Sequence, residues 1–137
     1  MWKYYALLSA FFAGITAVLA KMGLKGISGN LATAVRTTVI LFIAWGIVLA
    51  AGQWKEMKLI TRHNLLFLIL SGIATGLSWV FYFKALETGP VSKVAPIDKL
   101  SVAIAIGLSV IILKESVDWK TIMGSLLIIT GTIILIR

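Results

Sequence analysis

Long apolar stretches alternate with short polar segments along the whole sequence, and five of them are long enough to cross a bilayer. A spanning helix needs about 20 mostly apolar residues, with a range of ~17–25. The pattern therefore predicts an all-α, polytopic membrane protein with five transmembrane helices. The predicted spans are Tyr4 to Ala20, Leu31 to Ala51, Leu65 to Leu86, Val94 to Leu113 and Thr121 to Ile136.

The end of the first span contains Val18-Leu19-Ala20, which resembles a signal peptidase site with small residues at alternate positions. Four further spans follow this segment. We therefore expect the first helix to be retained rather than cleaved.

Composition supports a membrane protein and narrows its chemistry. Apolar residues make up 60% of the chain, whereas soluble domains contain about 45–50%. The 13 Lys and Arg residues stand singly at the ends of apolar runs, which indicates contact with the lipid bilayer and no nucleic acid partner. With no Cys and only His63, the chain is expected to hold no metal and no cofactor. The chain has no Ser–His or paired-acid arrangement at a shared depth, so an enzyme is not predicted.

Three charged residues lie inside the predicted spans: Arg36, Asp98 and Lys99. Insertion scales assign each such charge a cost of about 2.5–3.5 kcal/mol at the bilayer centre. Spans two and four begin on the same side, so an Arg36–Asp98 ion pair is geometrically reasonable and would leave Lys99 unmatched. In the alternative, all three side chains reach to the interface and act only as anchors.

Pro96 lies close to the beginning of span four, and its role depends on where that helix begins. If the helix begins near Val94, Pro96 occupies the first turn, where proline is well tolerated. If it begins near Pro90, Pro96 lies inside the helix and can bend it. The sequence leaves both alternatives open.

A polar face is predicted along span three. Its members recur at spacings of four, three and four residues and are Ser71, Thr75, Ser78 and Tyr82. Gly72 and Gly76 beside this face form a small-xxx-small pair that permits close helix packing. Trp79 and Phe83 lie one turn and two turns further along, and Thr16 of span one is a possible contributor. Small hydroxylated residues also serve helix packing alone, and that alternative stays open.

Four sequence blocks resemble the five-helix branch of the EamA-like, drug/metabolite transporter superfamily. They are "ALLSAFFAGITAVLAKMGLKGI", the Arg36 of "NLATAVRT", "LSGIATGLSWVFYFKALETGPVSKVAPIDKLS" and "LKESVDWKTIMGSLLIITGTIIL". Their order and spacing cover essentially the whole chain.

The resemblance implies one EamA-like five-helix transmembrane domain, residues 1–137, equivalent to one half of an inverted-repeat transporter. It further implies an antiparallel homodimer, multi-pass in the cell inner (plasma) membrane, that exports or exchanges small metabolites. Small multidrug-type relatives use a membrane-embedded Glu in their first helix. Span one has no acid here, which argues against proton-coupled export of lipophilic cations.

The favoured function is secondary transport of a small polar metabolite, as an exporter or exchanger. The predicted substrate-binding residues are Arg36, Asp98, Lys99, Ser78, Trp79, Tyr82, Thr16 and Thr75. Two cations against one carboxylate favour an anionic or zwitterionic substrate. The alternative is a non-transporting membrane scaffold or accessory subunit, in which the same charges only fix helix registry.

Glycine spacing and charge balance predict how two copies assemble. Gly124 and Gly131, seven residues apart on span five, are predicted to form the dimer contact. We call side A the side on which span one begins, and side B the other. Side A has the six cations Lys3, Lys55, Lys58, Arg62, Lys114 and Lys120. Side B has the five cations Lys21, Lys25, Lys84, Lys93 and Arg137, and Arg36 makes six.

A protein that inserts one way normally has a clear Lys/Arg excess on its cytoplasmic side. The near balance therefore predicts dual topology, in which copies insert both ways and pair as inverted halves. In the alternative, the three-cation "KEMKLITR" loop sets a single orientation, with side A in the cytoplasm and a parallel dimer.

Overall fold

A computed structural model describes residues 1–137 and is helical throughout, without strands. Five helical segments are long and apolar enough to cross a membrane, which confirms the predicted fold class. The helices are α1 (Trp2–Gly23), α2 (Gly29–Ala50), a 3₁₀ helix (Gln53–Leu59), α3 (Arg62–Thr88), α4 (Val91–Asp98), α5 (Leu100–Ile112) and α6 (Trp119–Ile136).

The chain forms two compact units, Met1–Thr88 and Gly89–Arg137, called unit 1 and unit 2. They are described separately. The predicted single domain and the inverted-repeat relation both stay predictions.

Unit 1 is built around α3, against which α1 and α2 pack. Its most buried side chains are Phe83 and Leu86, near the end of α3, together with Ala17 and Leu24 from α1 and the segment after it. Most large apolar side chains elsewhere in the unit are exposed. Such faces are expected of helices that meet lipid or another chain in the membrane.

Gly29 is the point of closest approach between α2 and α3. A Cβ atom at this position would lie 3.0 Å from the carbonyl carbon of Phe83 and 3.2 Å from the backbone nitrogen of Lys84. Its own N–H donates to the carboxylate of Glu87. The first N–H groups of a helix have no intrahelical partner and form its positive end. Glu87 therefore caps α2 from the neighbouring helix.

No helix of unit 1 closely approaches Gly72 or Gly76, the pair whose spacing permits close packing. A Cβ atom at either position would meet nothing within 4 Å. This part of α3 is therefore open, and the glycine that permits helix contact in unit 1 is Gly29.

Local side chains complete the hydrogen bonds of α2. The Ser28 hydroxyl accepts the N–H of Leu31 at 3.3 Å, as a helix N-cap. The hydroxyls of Thr33 and Thr37 donate to carbonyl oxygens one turn earlier, at 2.8 and 2.7 Å. Such bonds satisfy hydroxyl groups where no water is present.

In unit 2, the fourth span begins at Val91 and Pro96 lies inside α4. The structure therefore selects the internal position for Pro96, and the span begins three residues before the predicted Val94. Because proline has no N–H, the helical bond to the carbonyl one turn earlier is missing. Two residues after Asp98 the chain continues as α5, and the pair forms one candidate span, Val91–Ile112.

The interruption between α4 and α5 is centred on Lys99. The Lys99 N–H donates to the Pro96 carbonyl and the Val102 N–H donates to the Lys99 carbonyl, both at 3.0 Å. These bonds join residues three apart, as in a tighter 3₁₀ turn. The helix is therefore locally overwound beside the two charged residues.

Helix α6 packs against both α4 and α5. Thr132 is buried, and its hydroxyl donates to the Ile128 carbonyl at 2.8 Å. At the other end, the Asp118 side chain caps α6 by accepting the Thr121 hydroxyl and, at 3.0 Å, the Thr121 N–H. The bond from the Thr121 hydroxyl, followed by that from the N–H, lowers the pKa of Asp118 below its ordinary value.

Candidate functional site

Arg36 lies inside unit 1 with its guanidinium over two aromatic rings of α3. Its Cζ atom is 4.6 Å from the ring centroid of Trp79 and 5.5 Å from that of Phe83. Both distances are within the range of a cation–π contact, about 6 Å. The positive charge is therefore held by aromatic faces from the neighbouring helix.

The contact lies about two turns in from the adjacent ends of α2 and α3. Gly29 meets Glu87, which sets the beginning of α2 level with the end of α3. At 1.5 Å per residue, Arg36 lies about 10 Å below that level and Trp79 about 12 Å below it. Phe83, the other ring in contact, lies about 6 Å below that level, so the guanidinium is held between the depths of the two rings.

A groove with a volume of about 370 Å³ lies beside Arg36. It is lined by Thr16, Leu19, Ala20 and Gly23 of α1, Ile27, Ala32, Val35 and Arg36 of α2 and its approach, and Phe83 of α3. Small-molecule sites commonly measure about 300–1,000 Å³ and are mostly apolar with a few polar groups. Thr16 and Arg36 are the polar side chains of this groove.

A cation–π contact involves the charge of Arg36 and does not in itself use its N–H donors as hydrogen bonds. A guanidinium stacks through its face, whereas its five N–H donors lie in its plane. Carboxylate and phosphate groups match this fork of donors with two parallel hydrogen bonds. The arrangement can therefore bind an anionic group at the wall of the groove.

The structure brings together part of the predicted site. Thr16 and Arg36 line one groove, and Trp79 contacts Arg36. Tyr82 lies next to this cluster, with its ring 6.2 Å from that of Phe83. Thr75 and Ser78 are exposed on α3, outside the lining of the groove.

Asp98 and Lys99 belong to unit 2 and form an ion pair with each other. The Lys99 Nζ atom is 3.7 Å from an Asp98 carboxylate oxygen, and the side chains are 55% and 36% exposed, respectively. Lys99 therefore has an acidic neighbour in its own unit. The Arg36–Asp98 ion pair stays a prediction.

The two glycines predicted as a dimer contact lie on α6. Gly124 is partly exposed and Gly131 is exposed. A Cβ atom at either position would meet nothing within 4 Å. Both positions have room for a partner helix, and the dimer contact itself stays a prediction.

Three residues that the sequence pattern did not identify hold this end of unit 1 together. The Lys21 ammonium donates to the Leu86 carbonyl, and the Glu87 carboxylate accepts the Gly29 N–H. Lys21 and Glu87 had the pattern of single charges at span ends, which does not reveal a partner helix. The Ser-Gly-Asn start of α2 was a usable signal for Gly29, since Ser is a preferred N-cap.

Phe83 is a wall of the groove, and the predicted set of site residues did not include it. It follows Trp79 by four residues and so shares its helix face. That spacing could have placed both rings against the same partner. The identity of the partner, Arg36, was not readable from it.

Comparison with known proteins identifies relatives of this chain. A protein of Sinorhizobium sp, described as an uncharacterized transporter in the cobO 3' region, is 44% identical over 134 residues, covering 98% of this chain and 95% of the relative. An uncharacterized protein of Methanocaldococcus jannaschii is 29% identical over 83 residues, 61% of each chain. No solved structure is significantly similar. The EamA-like transporter family matches residues 1–137, and the chain is therefore a multi-pass membrane protein that belongs to the EamA-like transporter family.

Proposed function

We propose that this protein is a secondary transporter of a small anionic or zwitterionic metabolite, working as an exporter or exchanger in the cell inner (plasma) membrane. Arg36 binds the carboxylate or phosphate of the substrate. The observation that carries the proposal is the position of Arg36, held over Trp79 at the edge of a groove large enough for a small molecule.

The charge of the groove favours a substrate with an anionic group over a cationic substrate. None of the residues that line it is acidic. An organic cation would meet the charge of Arg36 without a counter-charge, in surroundings where electrostatic interactions are stronger than in water. A carboxylate or phosphate would instead supply the missing partner.

The remaining residues have supporting roles in this proposal. Trp79 and Phe83 hold the guanidinium in place, and the Thr16 hydroxyl donates to or accepts from the substrate. The face of α3 that bears the exposed Thr75 and Ser78 and the half-buried Tyr82 lines the further path. The half-exposed Asp98–Lys99 pair is accessible to a zwitterion, which presents a matching charge to each.

A flux screen in liposomes tests the substrate class. Purified protein is reconstituted into vesicles loaded with dicarboxylates, sugar phosphates, amino acids or amines of similar size, and uptake of the labelled compound is followed by counterflow. We expect exchange of compounds that bear an acidic group and no exchange of simple amines, because only the former complement Arg36. Exchange of amines alone would contradict the proposal. Absence of flux for every class, from folded protein, would favour the scaffold alternative.

We further propose that the transporter is an antiparallel homodimer. The cations on sides A and B are nearly balanced, six against five, which removes the usual determinant of a single orientation. The exposed glycine positions of α6 supply a surface for close packing of a second copy. A pathway at the interface of two inverted halves is the arrangement of many secondary transporters.

Dual topology is expected to appear as labelling from both sides of the membrane. Single cysteines are introduced as Ser116→Cys on side A and Asn30→Cys on side B, both at exposed positions. These changes leave the charge balance unaltered, and the chain has no other Cys. A membrane-impermeant thiol reagent should modify a fraction of each variant in intact cells and the remainder after permeabilisation. Complete labelling of one variant and complete protection of the other in intact cells would show a single orientation.

A further inference from the structure

The segment between α2 and α3 has a shape suited to the membrane surface. Helix α2 ends at Ala50, and the chain turns through Gly52, whose φ of 69° is in the left-handed region that favours glycine. The 3₁₀ helix Gln53–Leu59 follows, and α3 begins at Arg62. Because α2 and α3 are both spanning helices, the 3₁₀ helix lies at the bilayer surface on side A.

Side chains three residues apart in a 3₁₀ helix lie above one another, so this helix has three distinct edges. Gln53, Glu56 and Leu59 form the first edge. All three line a second groove, with a volume of about 470 Å³, together with Met57 and residues at the end of α2 and the beginning of α3. The first edge therefore borders this groove, although its side chains are exposed.

The other two edges are exposed as well. Trp54 and Met57 form an apolar edge, and their side chains are 50% and 54% exposed. Lys55 and Lys58 form a basic edge and are both exposed. Tryptophan is typical of the level of the lipid headgroups, and lysine at that level attracts anionic lipids.

Charge is separated across the 3₁₀ helix. Its acid, Glu56, lies on the edge that lines the groove, whereas Lys55 and Lys58 lie on another edge. Arg62, at the first position of α3, is also exposed. Lys55 and Lys58 thus share an edge without an acid, and Arg62 is a third exposed cation at the beginning of α3.

We propose that Lys55, Lys58 and Arg62 bind the phosphate-containing headgroup of an anionic phospholipid, while Trp54 and Met57 enter the interfacial layer. A lipid fits better than a soluble anion because the basic edge is adjacent to an exposed apolar edge. This lipid site is separate from the Arg36 groove and does not depend on the transport proposal.

The test measures lipid selectivity of the reconstituted protein by electron paramagnetic resonance. Spin-labelled phosphatidylglycerol and spin-labelled phosphatidylcholine are compared in phosphatidylcholine vesicles, and the ratio of their association constants gives the preference. We expect the parent protein to prefer phosphatidylglycerol. The combined variant Lys55→Gln, Lys58→Gln, Arg62→Gln should lose about fivefold or more of that preference, as expected for removal of basic residues from a membrane surface.

A matched control removes three other cations from the same side. The variant Lys3→Gln, Lys114→Gln, Lys120→Gln has the same net charge as the first variant and should keep most of the preference. Equal loss of preference in both variants would show that the preference depends on general surface charge, and it would contradict the proposed site. Unchanged preference in the first variant would also overturn it.

Two measurements do not depend on the neutral variants folding. The preference of the parent protein should fall as salt is added, because exposed charges are screened, and should survive in the variant Lys55→Arg, Lys58→Arg. A preference insensitive to salt, or lost in that variant, would contradict the proposal. Displacement of the spin-labelled lipid by inorganic phosphate as efficiently as by unlabelled phosphatidylglycerol would show a site for free phosphate instead.

Discussion

Replacing Arg36 with glutamine should reduce flux of an acidic substrate by about 10-fold to 100-fold, the range that corresponds to losing a charged hydrogen-bonding partner. Glutamine retains a polar side chain of moderate length but removes the charge and the planar fork of donors. The contact with Trp79, at 4.6 Å, would lose its cationic component as well. Initial rates of counterflow in liposomes measure the effect.

The matched control for this variant is Arg137→Gln, which makes the same chemical change at an exposed position outside the groove. Its flux should equal that of the parent protein. Arg36→Lys should fall between the two, because lysine keeps the charge but cannot form the bidentate pair. Equal flux for Arg36→Gln and the parent would remove Arg36 from the substrate site.

Thermal melts separate a binding role for Arg36 from a purely structural one. Removing the cation–π contacts should lower stability modestly, since such contacts contribute about 0.5–2 kcal/mol. Folded Arg36→Gln protein with little flux is the expected combination. If flux is lost only in proportion to the amount of unfolded protein, Arg36 stabilises the helices and does not bind substrate.

Replacing Gly29 with leucine should destabilise the protein by about 1–3 kcal/mol, the usual cost of inserting atoms into a close contact. A Cβ atom at this position would already be in a tight contact with the backbone of Phe83 and Lys84, at 3.0 and 3.2 Å, and the rest of a leucine side chain needs further space. Movement of α2 would also weaken the bond between the Gly29 N–H and Glu87. Unfolding of the detergent-solubilised protein, followed by helix content, measures the change.

Gly46→Leu is the matched control, because Gly46 lies on the same helix and a Cβ atom there would meet nothing within 4 Å. This variant should be as stable against unfolding as the parent protein or slightly more stable, since leucine favours helix more than glycine does. If the two leucine variants are equally stable, the packing of α2 against α3 does not depend on the close approach at Gly29.

The transmembrane helices could be predicted closely because their signal is local. Each predicted span lies inside the corresponding helical segment or ends one residue beyond it. Helix α3, for example, runs from Arg62 to Thr88, whereas the predicted span was Leu65 to Leu86. The end positions differ because a helix continues past the hydrocarbon into the interface, where polar residues are tolerated. The 3₁₀ helix Gln53–Leu59 was not predicted, since its pattern is that of an ordinary polar loop.

The candidate site was predicted as residue types but not as contacts. Arg36, Trp79 and Thr16 were identified because a charge, a tryptophan and a hydroxyl are unusual or informative within spans. Their association through a groove between helices required the structure. Small-xxx-small spacing pointed to Gly72 and Gly76, whereas the close contact is at Gly29, because such spacing describes one helix surface and does not specify which surface meets another helix.

The sequence by itself determined that this chain crosses the membrane and where its helices lie. In hydrocarbon every backbone N–H and C=O must be satisfied within its own helix, so the length and polarity of each run are sufficient evidence. Only the tertiary structure decided which faces meet: Arg36 with Trp79, Gly29 with Glu87, and Lys21 with Leu86. Helix association in a bilayer lacks the hydrophobic driving force that marks core faces in water. It depends instead on shape and on a few polar contacts between residues distant in sequence, and no local pattern encodes these.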